Sequence, residues 1–168
     1  MDPAALERAA ARLRPANLAF AARYPGETEL RQPVHTVYGG AQHFRHDAAA
    51  EHGREALRAL RRYAPTAEAF ALALGIPADG EAEALYARVV DKLEREPVED
   101  FRVDFEDGYG VRPDAEEDAT ALAVAEETAR GMEAGTLPAY LGLRLKALTE
   151  EQRGRSVRTL ELFLARLR

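Results

Sequence analysis

One short stretch near the middle of the chain constrains the fold more than any other, because its residues alternate between apolar and charged. The apolar members are Phe101, Val103 and Phe105, and the charged members are Arg102, Asp104 and Glu106. Such alternation predicts a β-strand with one apolar face and one ionic face. An Asp-Gly-Tyr-Gly sequence follows at 107–110, and its glycines predict a sharp turn that a ligand or another backbone can approach closely. Acidic groups therefore gather at the C-terminal end of a strand, where α/β folds commonly build their sites.

The acidic turn has other interpretations that need no catalytic site. A solvated hairpin end would also place three carboxylates before glycines, and the local sequence leaves this interpretation open. A calcium-binding EF-hand loop requires acidic residues at its first, third and fifth positions and a glycine at the sixth. Counting from Asp104, glycine falls fifth and Tyr109 sixth, so the EF-hand is excluded.

Two further strands are predicted, one before and one after this stretch. The first covers 33–38 and is closed by Gly39 and Gly40, and the third is an alternating run at 139–145. Helical spacing predicts helices at 47–63, 66–74, 80–95 and 114–132, a last helix opening at 149, and two short helices within 3–24 that are broken at Pro15. We therefore expect an N-terminal helical clasp at 1–30 and a helical insertion at 47–96.

The last two helices carry predicted caps and predicted buried stripes. Asp114 with Glu117, and Thr149 with Gln152, have the spacing of capping boxes. The expected inward residues follow helical spacing and are Leu122, Ala125, Ala129 and Met132 in one helix, and Val157, Leu160, Leu164 and Leu167 in the other.

The parity of the strands predicts the architecture. A strand, a helix and a strand at this spacing form a βαβ unit, whose sheet is parallel. Its apolar face should lie under helices, whereas the opposite face carries Arg102, Asp104, Glu106 and Arg144. That face is too ionic for a second helix layer but suits a barrel lumen with paired ions. We expect an α/β fold in a single domain, 1–168, that forms the N-terminal portion of a (β/α)8 TIM barrel with about three parallel strands.

Composition and motifs exclude several classes of protein. The chain has no cysteine, so a disulfide framework and a thiolate zinc site are both excluded. Its net charge of −6 argues against a nucleic-acid or membrane-surface partner. No apolar run is long enough to span a bilayer and no signal sequence opens the chain, which predicts a cytoplasmic protein. Phosphate-binding and dinucleotide-binding loops are missing too, so small-molecule chemistry of another kind fits better.

Histidines offer only a weak metal hypothesis. His43 and His46 lie three apart and could bind a metal together, but the sequence indicates no third ligand. His35 falls within the first predicted strand, where packing in the core or the lumen is its expected role.

Two segments carry a family resemblance. They read RQPVHTVY at 31–38 and EPVEDFRVDFEDGYG at 96–110, and a strand ending in Leu143-Arg144-Leu145 follows. In this order they resemble the citrate lyase β-subunit and HpcH/HpaI aldolase superfamily. More narrowly they resemble a branch that is labelled as an aldolase or a phosphoenolpyruvate kinase.

The resemblance implies a lyase or aldolase that makes or cleaves a carbon–carbon bond next to the carbonyl of a small oxoacid or its CoA thioester. It implies catalytic roles for Arg144, Glu106 and Asp107, with Arg144 gripping the substrate carboxylate through its fork-shaped guanidinium. Gly39 and Gly40 match a turn whose backbone amides face an anion, and both are assigned to substrate binding. The cofactor implied is Mg²⁺, a Lewis acid for the enolate.

The same family places the direct metal ligands on later strands, beyond Arg168. We therefore predict no metal ligand in this chain and expect it to be inactive by itself. A homo-oligomer is expected because the third strand has an unpaired edge.

The alternative from another class is a non-catalytic interaction module. In that interpretation Arg54, Arg58, Arg61 and Arg62 form a basic stripe for an acidic partner. Asp104 and Glu106 would then only pair with Arg102.

Overall fold

The computed structural model describes residues 3–26 and 29–167, and the chain divides after Gln32 into two compact units. The N-terminal unit contains helix α1, Pro3–Arg23, which continues through Pro15. The predicted break at this proline is therefore wrong. Proline removes one backbone hydrogen bond and bends a helix, but the alanine, leucine and arginine residues around it are strong helix formers.

The second unit is built on one three-stranded parallel sheet. Its strands are β1 (Thr36–Gly40), β2 (Asp100–Asp104) and β3 (Tyr140–Arg144), in the order β1-β2-β3. The predicted α/β class with parallel strands is confirmed at this level.

The first strand differs from its prediction, since it begins three residues later and includes both glycines. Gly39 pairs with Val103 and Gly40 with Asp104, so the parallel ladder continues where a turn was expected.

The described part of this unit contains five α-helices. They are α2 (Ala48–Tyr63), α3 (Ala67–Leu74), α4 (Gly80–Arg95), α5 (Asp114–Ala134) and α6 (Arg153–Leu167). Helices α2 to α4 lie between β1 and β2 in the chain, and a short 3-10 helix (Ala41–His43) follows β1. No helix in the described part of the chain has the length and apolar character needed to cross a bilayer.

The alternating strand separates its two faces as predicted. Phe101, Val103 and Phe105 are buried in the core with Val124 and Phe163 from the helices. Asp104 and Arg102 lie on the other face, which is the polar face of the sheet. The apolar side of the sheet is thus the side that α5 and α6 cover.

The buried stripes of α5 and α6 share Ala125 and Leu167 with the predicted ones and are otherwise rotated by about one residue. In α5 the inward side chains are Ala121, Val124, Ala125 and Thr128, while Leu122 and Met132 are exposed. In α6 they are Ser156, Thr159 and Phe163, while Val157, Leu160 and Leu164 are exposed. The cause is polar: the buried Thr159 hydroxyl donates a 2.6 Å hydrogen bond to Glu117 on α5, which fixes the facing sides of the two helices.

Both predicted capping boxes are also wrong. The residue before α5 is Pro113, whose carbonyl accepts from the backbone N–H groups of Glu116 and Glu117. The Glu117 side chain is buried at 1% exposure because it forms an ion pair with Lys146, so it cannot reach back to cap. Residues 149–152 form a turn, and α6 begins only at Arg153.

Candidate functional site

The C-terminal ends of the three strands meet at one edge of the sheet. Gly40, Asp104 and Arg144 occupy equivalent positions on neighbouring strands and share the polar face. The loop after β2 carries Glu106 and Asp107 to the same edge. This is the part of a parallel α/β sheet where binding sites usually form.

Three carboxylates surround the Arg144 guanidinium. Its Nη1 lies 3.1 Å from Asp104, and its Nη2 lies 2.8 Å from Glu106 and 2.6 Å from Asp107. The hydrogen bond with Asp107 and the charges of Asp104 and Glu106 raise the pKa of Arg144 above its ordinary value. The structure therefore brings together Arg144, Glu106 and Asp107, the three residues predicted to be catalytic.

Asp104 has a structural role that its sequence position did not indicate. It is only 3% exposed, and its two oxygens accept hydrogen bonds from the backbone N–H groups of Glu106 (2.7 Å) and Gly108 (3.1 Å). A carboxylate that accepts from amides two and four residues later closes the loop on itself. Asp104 thus shapes the turn that presents Glu106 and Asp107.

The two glycines of β1 are needed for close packing. A Cβ on Gly39 would lie 2.5 Å from the Phe101 ring, on the apolar side of the sheet. A Cβ on Gly40 would overlap the carbonyl oxygen of Gly108, which also accepts a 3.1 Å hydrogen bond from Gln42. Gly39 therefore lies away from the candidate site, and of the pair only Gly40 borders it. Neither forms the turn predicted after the strand.

Two aromatic and ionic contacts extend the site along the polar face. The Arg144 guanidinium lies over the Tyr38 ring, with 5.6 Å from its Cζ to the ring centroid. One step further down the sheet, Arg102 pairs with Asp100 at 2.9 Å and lies over Gly142, where a side chain would overlap it. The predicted pairing of Arg102 with Asp104 and Glu106 is therefore wrong. Those acids pair with Arg144, because its side chain extends over the end of β2.

A buried ionic cluster supports the site from the helix side, and sequence reasoning missed it. Lys146 Nζ lies 2.6 Å from Glu117 and donates a 2.9 Å hydrogen bond to the carbonyl oxygen of Phe105. The backbone N–H of Phe105 in turn donates to the carbonyl of Arg144. Lys146 thus links the end of β3 to the loop after β2. A lysine directly after an alternating strand was the available signal.

The histidines do not form a metal site. The His46 ring is held at 2.8 Å by Glu127 on α5, and its backbone N–H also donates to that carboxylate. Burial of the Glu127 carboxylate acts to raise its pKa. The hydrogen bonds from His46 nevertheless hold the pKa of Glu127 below its ordinary value. Across residues 3–26 and 29–167, no group of three or more histidine, aspartate or glutamate side chains is arranged to hold a metal ion.

The residues at the strand ends do not by themselves fit a magnesium ion. Their carboxylates supply the oxygen atoms that Mg²⁺ prefers, but Asp104, Glu106 and Asp107 are all directed at Arg144. Mg²⁺ demands near-octahedral coordination, and this set is already engaged by a cation. The cofactor stays a prediction.

The arginine stripe on α2 is paired within the protein. Arg54 forms an ion pair with Glu51, Arg58 lies 3.5 Å from Glu55, and Arg61 lies 3.7 Å from Glu94. Arg62 lies over the ring of Tyr63. Much of the stripe's charge is therefore balanced locally, which is typical of a solvated helix face.

Fold and site together define a mixed α/β protein with an arginine and three carboxylates where its parallel strands end. A family model described as a domain of unknown function (DUF6986) matches residues 13–168, and the chain belongs to that family. No curated protein and no solved structure matches the chain.

Proposed function

We propose that the protein is a carbon–carbon lyase or aldolase of the citrate lyase β type, acting on a small oxoacid or its CoA thioester through an enolate. The observation that carries the proposal is the position of Arg144 among Asp104, Glu106 and Asp107 at the C-terminal ends of the strands. A planar guanidinium at such an edge is suited to a substrate carboxylate, which it can bind through two parallel hydrogen bonds.

We further propose that the three-stranded sheet is part of a (β/α)8 barrel. Two features support this architecture. Helices cover one face of the parallel sheet, and the other face carries paired ions such as Arg102 with Asp100. An ionic face of this kind suits a barrel interior.

Binding of an oxoacid requires an exchange of partners at Arg144. Its Nη2 atom is shared by Glu106 and Asp107, so a substrate carboxylate must take the place of at least one of them. The Asp107 side chain is 79% exposed and that of Glu106 is 31% exposed. Asp107 is therefore the partner that can turn into solvent at the lower cost.

Once the substrate carboxylate has replaced Asp107 on Arg144, the remaining acids can contribute to cleavage. In a retro-aldol step a base removes the proton of the substrate hydroxyl, that carbon–oxygen bond becomes a carbonyl, and the neighbouring carbon–carbon bond breaks. The electron pair of that bond remains on the oxoacid part as an enolate, whose carboxylate stays on Arg144. Glu106 is the proposed proton acceptor, because it lies beside Arg144 and its side chain is less exposed to water than that of Asp107.

Binding of pyruvate, used as the oxoacid probe, tests the proposal by calorimetry on the wild-type protein and on Arg144→Ala and Arg144→Lys. We expect both variants to lose binding, since the lysine keeps the charge but not the fork. Arg153→Ala is the matched control, because Arg153 forms an exposed pair with Glu150 at 2.8 Å. The proposal is refuted if Arg144→Ala binds pyruvate as the wild type does, or if the wild type binds neither pyruvate nor an acyl-CoA.

The alternative of a non-catalytic interaction module has no observation in its favour. In that alternative the basic stripe on α2 binds an acidic partner, but Arg54, Arg58 and Arg61 already have carboxylate partners within the protein.

A further inference from the structure

The aromatic ring of Tyr38 lies beside the Arg144 guanidinium. Tyr38 lies on β1 and shares the polar face with Arg102 and Gly142, its equivalents on β2 and β3. The guanidinium carbon lies 5.6 Å from the centre of its ring, within the range of a cation–π contact. The carboxylate partners of Arg144 all come from β2 and its loop, so Tyr38 is the contact on the β1 side.

The contact crosses the whole sheet. Arg144 is on β3 and Tyr38 is on β1, so two strand spacings of about 4.8 Å separate their backbones. The side chains therefore meet above β2, next to the end of that strand. An arginine held in this way lies along the sheet surface, and the ring limits where its fork can point.

The hydroxyl group of Tyr38 is not what holds it in place. Tyr109 and Tyr86 each use their hydroxyl, toward Thr120 at 2.9 Å and the carbonyl of Ala64 at 3.0 Å. Among the described residues, Tyr38 has no such hydrogen bond, and the residue is 57% exposed. A tyrosine this exposed contributes little to the core, so its removal should leave the fold intact.

We infer that Tyr38 is a positioning residue for the substrate-binding arginine. Its ring supports the guanidinium of Arg144 in the orientation that an oxoacid carboxylate meets. This inference rests on the proposed function, since it gives Arg144 its anion-binding role. It adds a residue from β1 to a site for which the resemblance implied Gly39 and Gly40, in a turn after that strand.

The substitutions Tyr38→Phe and Tyr38→Ala separate the ring from the hydroxyl. Tyr38→Phe should bind pyruvate with wild-type affinity, whereas Tyr38→Ala should raise the Kd by about two- to five-fold, as expected for a partly exposed cation–π contact. Tyr63→Ala is the matched control, because Tyr63 makes the same contact with Arg62 at 5.4 Å on α2, away from the site. Its Kd should not change.

A second measurement does not depend on the ligand. The ring current of Tyr38 should shift the Arg144 Nε–H resonance in a proton–nitrogen NMR spectrum, where Arg144→Lys identifies the signal by its loss. The chemical shift of this resonance should change in Tyr38→Ala. In Tyr38→Phe, which keeps the ring, it should stay close to the wild-type value. A resonance that is unchanged in Tyr38→Ala overturns the inference whether or not pyruvate binds.

The two proposals fail in different ways. If Arg144→Ala binds pyruvate normally, the proposed function is wrong. If Arg144→Ala loses pyruvate but Tyr38→Ala binds it with the wild-type Kd, the proposed function stands and the role of Tyr38 is wrong. The same conclusion follows if Tyr38→Phe weakens binding as much as Tyr38→Ala, because the ring would then not be the feature that matters.

Discussion

Replacement of Lys146 by methionine should destabilise the protein by about 3 kcal/mol, since it leaves a buried carboxylate without its main partner. The partner is Glu117, 1% exposed and 2.6 Å from the lysine. Loss of one member of such a pair typically costs 3–5 kcal/mol. The lower value applies because Thr159 still donates to Glu117 and Arg155 lies 3.4 Å away.

The measurement is urea unfolding followed by circular dichroism. With a slope near 2 kcal/mol per molar urea, the midpoint should fall by about 1.5 M while the slope stays the same. The double variant Lys146→Met/Glu117→Met should recover most of the loss, because the buried carboxylate is then gone and Arg155 keeps its ion pair with Asp118. Arg153→Met, at an exposed pair, is the control and should stay within about 0.5 kcal/mol of the wild type. A cost below about 1 kcal/mol for Lys146→Met alone would refute the assignment of Lys146 as the partner that keeps Glu117 buried.

Two further predictions concern packing and pH. Gly40→Ala should lower the free energy of unfolding by about 1–3 kcal/mol, because its Cβ would overlap the Gly108 carbonyl. Gly80→Ala is the control, since a Cβ there meets no atom within 4 Å, and it should be neutral or stabilising in the same urea assay. The lowered pKa of Glu127 means that its pairing with His46 stabilises the fold above about pH 4.5 and that this contribution is lost as pH falls through the lowered value. Urea unfolding of Glu127→Gln at pH 6, 4.5 and 3 should therefore show a deficit at pH 6 that shrinks with acidification, and a constant deficit would contradict this.

The sequence was most informative where the pattern of side chains is local. The alternation from Phe101 to Glu106 correctly separated the apolar and polar faces of β2, because neighbouring residues of a strand point to opposite sides. The helix predicted at 66–74 was equally local, because single residues define its two ends. Thr66 does accept a hydrogen bond from the Ala69 N–H, and Gly75 does adopt a left-handed conformation at φ 68°.

Long-range partners explain what the sequence could not predict. A helix stripe read from apolar residues alone put Leu122 and Leu160 inward, whereas the packed faces are set by a hydrogen bond between Glu117 and Thr159, 42 residues later on the next helix. The arginine–carboxylate cluster could be predicted as a set of residues at the strand ends. The sequence did not predict which carboxylate pairs with which arginine, or that Arg144 contacts Tyr38. Both depend on side chains that extend from one strand over its neighbours.

In the loop after β2, different residues determine the backbone shape of the site and its charge. The buried carboxylate of Asp104 and the close contact between Gly40 and Gly108 fix the backbone. Glu106 and Asp107 only present side chains on that frame, and the Asp107 carboxylate is largely exposed. Substitutions at 106 and 107 can therefore alter the electrostatics around Arg144 without a change in the backbone conformation of the loop. A loop built this way can change the charge that it presents to Arg144 while its scaffold remains the same.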